Sequence, residues 1–92
     1  MLKVTENAKK ELKRILAEKV DNPLAGVRLM SSGKPDNYGL AIDVEMPGDQ
    51  VVVHKGSKVL LVEHELSDRL DGHILDVEDT THGKSFVVLA GK

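Results

Sequence analysis

Apolar residues near the start of the chain recur at the spacing of one helix face. They fall at positions i, i+4, i+7 and i+8, with lysine and arginine side chains between them, a period typical of an amphipathic helix over residues 5–19. Thr5 is suited to cap the first turn of this helix through its hydroxyl oxygen. The sequence therefore predicts one long N-terminal helix with an inward stripe of Ala8, Leu12, Ile15 and Leu16.

After Pro23 the apolar pattern changes to that of β-strands. The clearest alternation runs from Tyr38 to Val44, where the large apolar side chains occupy every second position and predict one buried strand face. Two runs of valine and leucine are apolar on both faces and flank turn-forming residues, so they predict a hairpin inside a two-layer structure. The predicted strands cover residues 2–4, 27–30, 38–45, 51–53, 59–62, 74–78 and 85–89.

A second, short helix is predicted over residues 65–70. Gly72 follows it at a position where helix ends favour a left-handed backbone conformation. The resulting order β-α-β-β-β-β-α-β-β indicates an α+β pseudo-barrel or sandwich of mostly antiparallel strands, formed as a single domain over residues 1–92. We expect its core to contain Leu12, Ile15, Leu16, Leu40, Ile42, Val59, Leu61, Leu66, Leu70, Leu75, Val77 and Phe86.

The composition restricts the classes of function. Of 92 residues, 30% are charged, the net charge is -2, and Tyr38 and Phe86 are the only aromatic side chains. A nucleic-acid-binding domain normally has a basic face and aromatic stacking residues, so we expect no nucleic-acid partner. No apolar stretch approaches the length of a membrane span or signal core, which predicts no membrane association and a cytoplasmic location. The absence of cysteine excludes disulfides, zinc fingers and thiol catalysis.

Six short segments, in order along nearly the whole chain, resemble segments of one known family. They are residues 4–8, 27–29, 31–33, 38–43, 55–59 and 70–72. The loop Ser-Ser-Gly-Lys-Pro at residues 31–35, followed by Tyr-Gly-Leu-Ala at residues 38–41, resembles the Gly-Cys-Ser-Gly loop and following strand of the same family. That family is the A-type iron–sulfur carriers, also called HesB-like or IscA-like. The resemblance implies a HesB-like fold of packed sheets with one long helix, assembled as a homo-oligomer.

The same resemblance implies a role in receiving and passing on iron or iron–sulfur clusters, through cysteines in that loop and in a Cys-Gly-Cys motif near the C-terminus. The loop here is Gly33, Lys34 and Pro35, and the sequence ends before the second motif would occur. Lys34 occupies the first cysteine position, and a lysine ammonium has no lone pair to offer a metal. No cluster-binding residue of the family therefore carries over, and we expect no cofactor.

Four histidines are the remaining candidates for binding a metal ion: His54, His64, His73 and His82. His64 and His73 flank the predicted short helix and are the leading pair. With Glu63, Glu65 or Asp76 they would suit Fe²⁺ or Zn²⁺ if the fold brought them together. The alternative is four ordinary surface histidines.

Two further kinds of site follow from charged residues. Asp71 with Asp76, or Glu63 with Glu65, would form an acid–base couple, although Asp71 also suits the turn after a helix. Lys34 with Arg28 would hold an anion in the loop.

Three classes of function remain open. The first is a non-enzymatic accessory protein that binds a protein partner in iron–sulfur or iron handling and holds no cluster. The second is a small metal- or anion-binding protein that uses histidine and carboxylate ligands or the Lys34 loop. The third is an enzyme with a site of its own.

Overall fold

The computed structural model describes residues 1–19, 22–31, 38–81 and 83–90. Their helices and strands follow the predicted order. They are β1 (Lys3–Val4), α1 (Glu6–Lys19), β2 (Ala25–Ser31), β3 (Tyr38–Val44), β4 (Gln50–His54), β5 (Ser57–Val62), α2 (His64–Arg69), β6 (Ile74–Thr80) and β7 (Gly83–Leu89).

The start of α1 is fixed by the predicted cap. The Thr5 hydroxyl oxygen accepts a hydrogen bond from the Ala8 amide at 3.2 Å, and the same hydroxyl donates to the Asp76 carboxylate at 2.7 Å. The second bond ties the helix start to β6. The side chains of Ala8 and Leu12 are fully buried.

The strands form two sheets, one of four strands in the order β3-β2-β5-β4 and one of three in the order β1-β6-β7. The pairs β2–β3, β4–β5 and β6–β7 are antiparallel, whereas β1–β6 and β2–β5 are parallel. The sheets do not close into a barrel. The predicted α+β class with mostly antiparallel strands, one long and one short helix is confirmed.

β5 lies at the centre of the core. Val59, Leu60, Leu61 and Val62 are completely buried, so the prediction from their two-sided apolarity is confirmed for this strand. Val52 pairs with Leu60 but the next residue of β4 pairs with Lys58, which leaves Val59 as the extra residue of a β-bulge. The hairpin turn is Lys55 and Gly56, both with positive φ, as two-residue hairpin loops prefer.

The connection from β3 to β4, residues 45–49, links the two opposite edges of the four-stranded sheet. It passes over the face on which Arg28 of β2 lies, because Arg28 donates hydrogen bonds to Asp43 at the end of β3 and to Asp49 at the end of the connection. These bonds are both 2.7 Å long, and the Asp49 side chain is only 3% exposed. The connection therefore covers the outer face of the sheet, opposite the main core.

The core differs from the predicted one in β3. Leu40 and Ile42 are exposed by 39% and 43%, so their predicted burial is wrong. They lie on the edge strand of the sheet, beyond the elements that cover β2 and β5. Four further predicted core residues are partly exposed: Ile15, Leu16, Val77 and Phe86. The remaining predicted positions are buried.

Neither helix in the described part of the chain is long and apolar enough to span a bilayer.

Candidate functional site

A groove of about 590 Å³ opens between the two sheets, bounded by β3 on one side and β7 on the other. Tyr38 and Leu40 of β3 face Phe86 and Val88 of β7 across it, and Leu29 also contributes to its lining. Both aromatic side chains of the chain therefore line one groove. Its volume falls within the range of binding clefts.

Among the nine lining residues of this groove that the structure describes, Tyr38, Lys84 and Ser85 have polar groups on their side chains. The Lys84 ammonium is engaged by the Asp79 carboxylate at 2.8 Å. No histidine or carboxylate belongs to the lining that the structure describes. The described part of the groove thus offers apolar contact, and its described residues include neither an acid–base pair nor a ligand set of the kind that catalysis or metal binding would need.

The predicted loop site, Gly33, Lys34 and Pro35, lies outside the described residues. The residues on either side of the undescribed stretch, Ser31 and Tyr38, are directly opposite each other in the β2–β3 pair. The other half of the predicted anion site is described. Arg28 is already held by Asp43, by the backbone oxygen of Val44 and by Asp49.

This cluster around Arg28 is an ion-pair network that the sequence did not predict. Hydrogen bonding to Arg28 holds the pKa of Asp49 below its usual value, while the Val44 amide is the larger cause of the lowered pKa of Asp43. The pKa of Arg28 is raised, chiefly by its bonds to Asp49. All three groups are charged and satisfied, so they hold the connection over the sheet.

The histidines predicted as metal ligands lie beside groups of nearby residues or are exposed to solvent. His64 Nε2 lies 3.4 Å from the Asp68 carboxylate one helical turn later, and His73 Nδ1 lies 3.4 Å from the backbone oxygen of Asp71. His54 is only 8% exposed and faces Glu6, so its interpretation as a surface histidine is wrong. His82 lies outside the described residues. Within residues 1–19, 22–31, 38–81 and 83–90, no three potential ligands of the His, Asp or Glu type come together.

The predicted acid–base couples also have structural partners. Asp71 accepts a hydrogen bond from the α-amino group of Met1, which is the main cause of its lowered pKa. Asp76 accepts from the Thr5 hydroxyl, which lowers its pKa too. A carboxylic acid that donates a proton near neutral pH needs a raised pKa, so neither group suits that role.

Glu63 and Glu65 line a depression of about 320 Å³ together with Arg28 and Arg69. Both glutamates are exposed to solvent. Because side chains of both charges line this depression, it favours neither an anion nor a cation.

Besides Asp49, another buried carboxylate was not predicted from the sequence. Glu11 of α1 is 7% exposed and accepts two hydrogen bonds from the Arg14 guanidinium, at 2.9 and 2.5 Å. These bonds are the main cause of its lowered pKa. The one sequence signal for its burial is that Glu11 directly precedes Leu12, which faces inward. Because the Glu11 carboxylate is held in an ion pair with Arg14, its role is structural.

Comparison with known proteins gives a clear result for structure alone. The sequence matches no family profile and no curated protein. SufA of Escherichia coli, which is involved in the biosynthesis of iron–sulfur clusters, superposes with a TM-score of 0.68 and 23% identity, over 97% of this chain and 84% of that one. The chain has the HesB-like fold.

Two further solved structures agree. IscA with a [2Fe–2S] cluster has a TM-score of 0.65 and 18% identity, over 98% of this chain and 85% of that one. A protein from Aquifex aeolicus, solved by NMR, has a TM-score of 0.62 and 24% identity, over 95% and 88% of the two chains. The resemblance found in the sequence is therefore confirmed at the level of the fold, in a chain without cysteine.

Proposed function

We propose that this chain is a non-enzymatic accessory protein in iron–sulfur or iron handling, which binds a protein partner and does not itself hold a cluster. The observation that carries the proposal is the HesB-like fold of SufA and IscA in 92 residues without a single cysteine. Cluster irons are held mainly by thiolates, and this sequence supplies none. In this proposal residues 1–92 act as one domain, without a cofactor and in the cytoplasm.

Partner binding is favoured by the groove between β3 and β7. Of its nine described lining residues, seven are aliphatic or aromatic, both aromatic residues of the chain are among them, and the ammonium group of Lys84 is paired with Asp79. Such a surface complements apolar side chains better than an ion or a small charged metabolite. The alternative of an anion site loses Arg28, which is saturated by its own carboxylates, and the metal-binding alternative finds no group of three His, Asp or Glu ligands among the described residues.

Anaerobic reconstitution with iron and sulfide tests the absence of a cluster. The wild type and Lys34→Cys are treated beside the IscA whose structure contains a [2Fe–2S] cluster, which is the positive control. Lys34→Cys restores one thiolate per chain, so even a dimer offers two where an all-cysteine site needs four. After desalting, we expect charge-transfer bands from IscA alone. A brown wild-type protein with stoichiometric iron and sulfide would contradict the proposal.

Anaerobic affinity capture from native cytosol tests the partner. We expect the immobilised wild type to retain proteins of iron–sulfur assembly and Phe86→Ala, which removes one wall of the groove, to lose them. Val53→Ala is the matched control, since Val53 is an exposed aliphatic residue of β4 outside the groove. Thermal melting checks that each variant is folded. Capture that is the same for all three proteins, or that contains no iron–sulfur protein, would refute partner binding through the groove.

A further inference from the structure

A small pocket lies between α1 and the start of β5, beside the residues that lead into β2. Its volume is about 250 Å³, and part of its lining is aliphatic. The polar residues of the described lining are Lys13, Asn22, Ser57 and Lys58. Each of these side chains can donate a hydrogen bond, and no carboxylate belongs to the described lining. The charged groups of the described lining are therefore all positive.

Lys13 is the central group of this pocket, because its charge is balanced by a neutral partner. Its ammonium donates a hydrogen bond to the Ser57 hydroxyl oxygen at 3.2 Å, from α1 across to β5. No carboxylate of the described residues forms an ion pair with Lys13, whereas Lys9 and Arg14 of the same helix are paired with glutamates. Lys13 is also partly buried. A partly buried ammonium whose partner is a hydroxyl attracts an anion.

The other polar side chains of the pocket add donors to this charge. The Ser57 hydroxyl accepts from Lys13, so its own hydrogen is left to donate. The Asn22 side-chain oxygen accepts a backbone amide at 2.9 Å, which leaves the NH₂ group of that side chain for a ligand. The Lys58 ammonium lies 2.9 Å from the Glu45 carboxylate and keeps further N–H groups. An acceptor placed in the pocket can thus meet several donors.

Two other depressions of the surface lack this pattern of charge. The depression around Arg14 also contains Glu11 and Asp79, and the one around Arg28 contains two glutamates. In both, carboxylates of the chain itself already neutralise the cations. The pocket at Lys13 differs because its described lining leaves the neutralising role to a ligand.

We propose that this pocket binds a compact oxyanion, whose oxygens accept hydrogen bonds from the Lys13 ammonium and the Ser57 hydroxyl. The side chains of Asn22 and Lys58 are the further donors. The volume is smaller than that of clefts for drug-sized ligands, which favours a small carboxylate or phosphate. Because α1 and β5 each supply one donor, the bound anion links the long helix to the central strand. This site is separate from the groove between β3 and β7, and its test is independent of the proposed accessory role.

Titration of the isotope-labelled protein, followed through its amide NMR signals, tests the pocket with two probes. The probes are inorganic phosphate and butyrate, each added from about 0.1 to 50 mM at constant ionic strength against sodium chloride. We expect the signals of Ser57, Lys58 and the residues around Asn22 to shift and to saturate with at least one probe. The probe that binds more tightly distinguishes a phosphate from a carboxylate ligand. Shifts that do not saturate with either probe, or that lie mainly outside the pocket, would overturn the proposal.

Matched variants separate this pocket from the general effect of charge. Lys13→Gln and Lys10→Gln each remove one positive charge from α1, but Lys10 is exposed and lies outside this pocket. We expect Lys13→Gln to weaken binding of the tighter probe by about tenfold or more, and Lys10→Gln by about twofold or less. Ser57→Ala, which removes the hydroxyl, should weaken it by about threefold or more.

Thermal melting without a probe confirms that each variant is folded. Equal weakening in the two lysine variants would mean that the anion responds to net charge alone. Affinity that is unchanged in both Lys13→Gln and Ser57→Ala would place the anion elsewhere. Either result would refute the site.

Discussion

β5 and β3 belong to the same sheet, and both were predicted from apolar sequence, but their surroundings differ. Four consecutive residues of β5, from Val59 to Val62, are completely buried, because the strand is central and is covered on both faces. β3 has a regular alternation of apolar residues, yet Leu40, Ile42 and Val44 remain about two fifths exposed. An apolar pattern thus identifies which side of a strand faces the core. It does not tell how far the covering helix and the second sheet extend.

Truncating one leucine in each strand gives the largest expected contrast. Leu60→Ala removes a fully buried side chain, and we expect it to lower the free energy of unfolding by about 2–5 kcal/mol. Leu40→Ala removes a side chain that is already 39% exposed, and we expect a loss of about 1 kcal/mol or less. Urea denaturation at low micromolar protein measures both. Equal losses would show that β3 is covered within one chain.

The second prediction concerns the connection that joins β3 to β4 over the outer face. Asp49→Ala removes two hydrogen bonds of Arg28 and the bond from the Met46 amide to Asp49. Because Arg28 is only 12% exposed, it is left partly unpaired in a poorly hydrated place. We expect a loss of about 2–4 kcal/mol.

Asp79→Ala is the control for this substitution. It breaks the solvent-exposed ion pair with Lys84, and we expect it to destabilise the protein much less than Asp49→Ala does, because solvent screens the pair. If Asp49→Ala costs no more than Asp79→Ala in urea denaturation, the connection is not held by Arg28.

The same network predicts how stability depends on pH. The pKa of Asp49 is lowered in the folded state, mainly by Arg28, so its contribution is complete above the unfolded pKa of about 4. As the pH falls below that value toward the lower folded pKa, the folded state loses this contribution. We expect the melting temperature of the wild type to fall more steeply between about pH 5 and pH 2.5 than that of Asp49→Ala. Parallel profiles would mean that other carboxylates dominate acid unfolding.

The features that could be predicted from the sequence are those set by interactions between residues close together in the chain. Helix caps, turns and apolar periods act over a few residues, and they placed the helices and strands in the correct order. Arg28 was instead assigned to an anion site with Lys34, because nothing local indicates that residues 45–49 bring Asp49 onto β2. His54 was one of the four histidines that the alternative placed at the surface, but the start of α1 at Glu6 lies beside it. The groove shared by Tyr38 and Phe86 likewise depends on how the two sheets pack.

Two glycines allow the packing of β2 and of β3 to be compared through the addition of a single methyl group. Gly26 of β2 and Gly39 of β3 lie on the same outer face, opposite Asp43 and Met30 respectively, and neither has a positive φ. A Cβ on Gly26 would lie 3.3 Å from Leu61 Cγ and 3.3 Å from the Lys58 backbone oxygen, whereas a Cβ on Gly39 would meet nothing within 4 Å.

We therefore expect Gly26→Ala to destabilise the protein by about 1–2 kcal/mol, because a backbone oxygen of the buried strand cannot move aside cheaply. Gly39→Ala should be neutral, or stabilising by about 0.4–1 kcal/mol, because alanine restricts the unfolded chain and no neighbour must shift. Urea denaturation of both variants at low micromolar protein provides the measurement. A loss in Gly39→Ala as large as that in Gly26→Ala would mean that the outer face of β3 is as closely packed as the centre of the sheet.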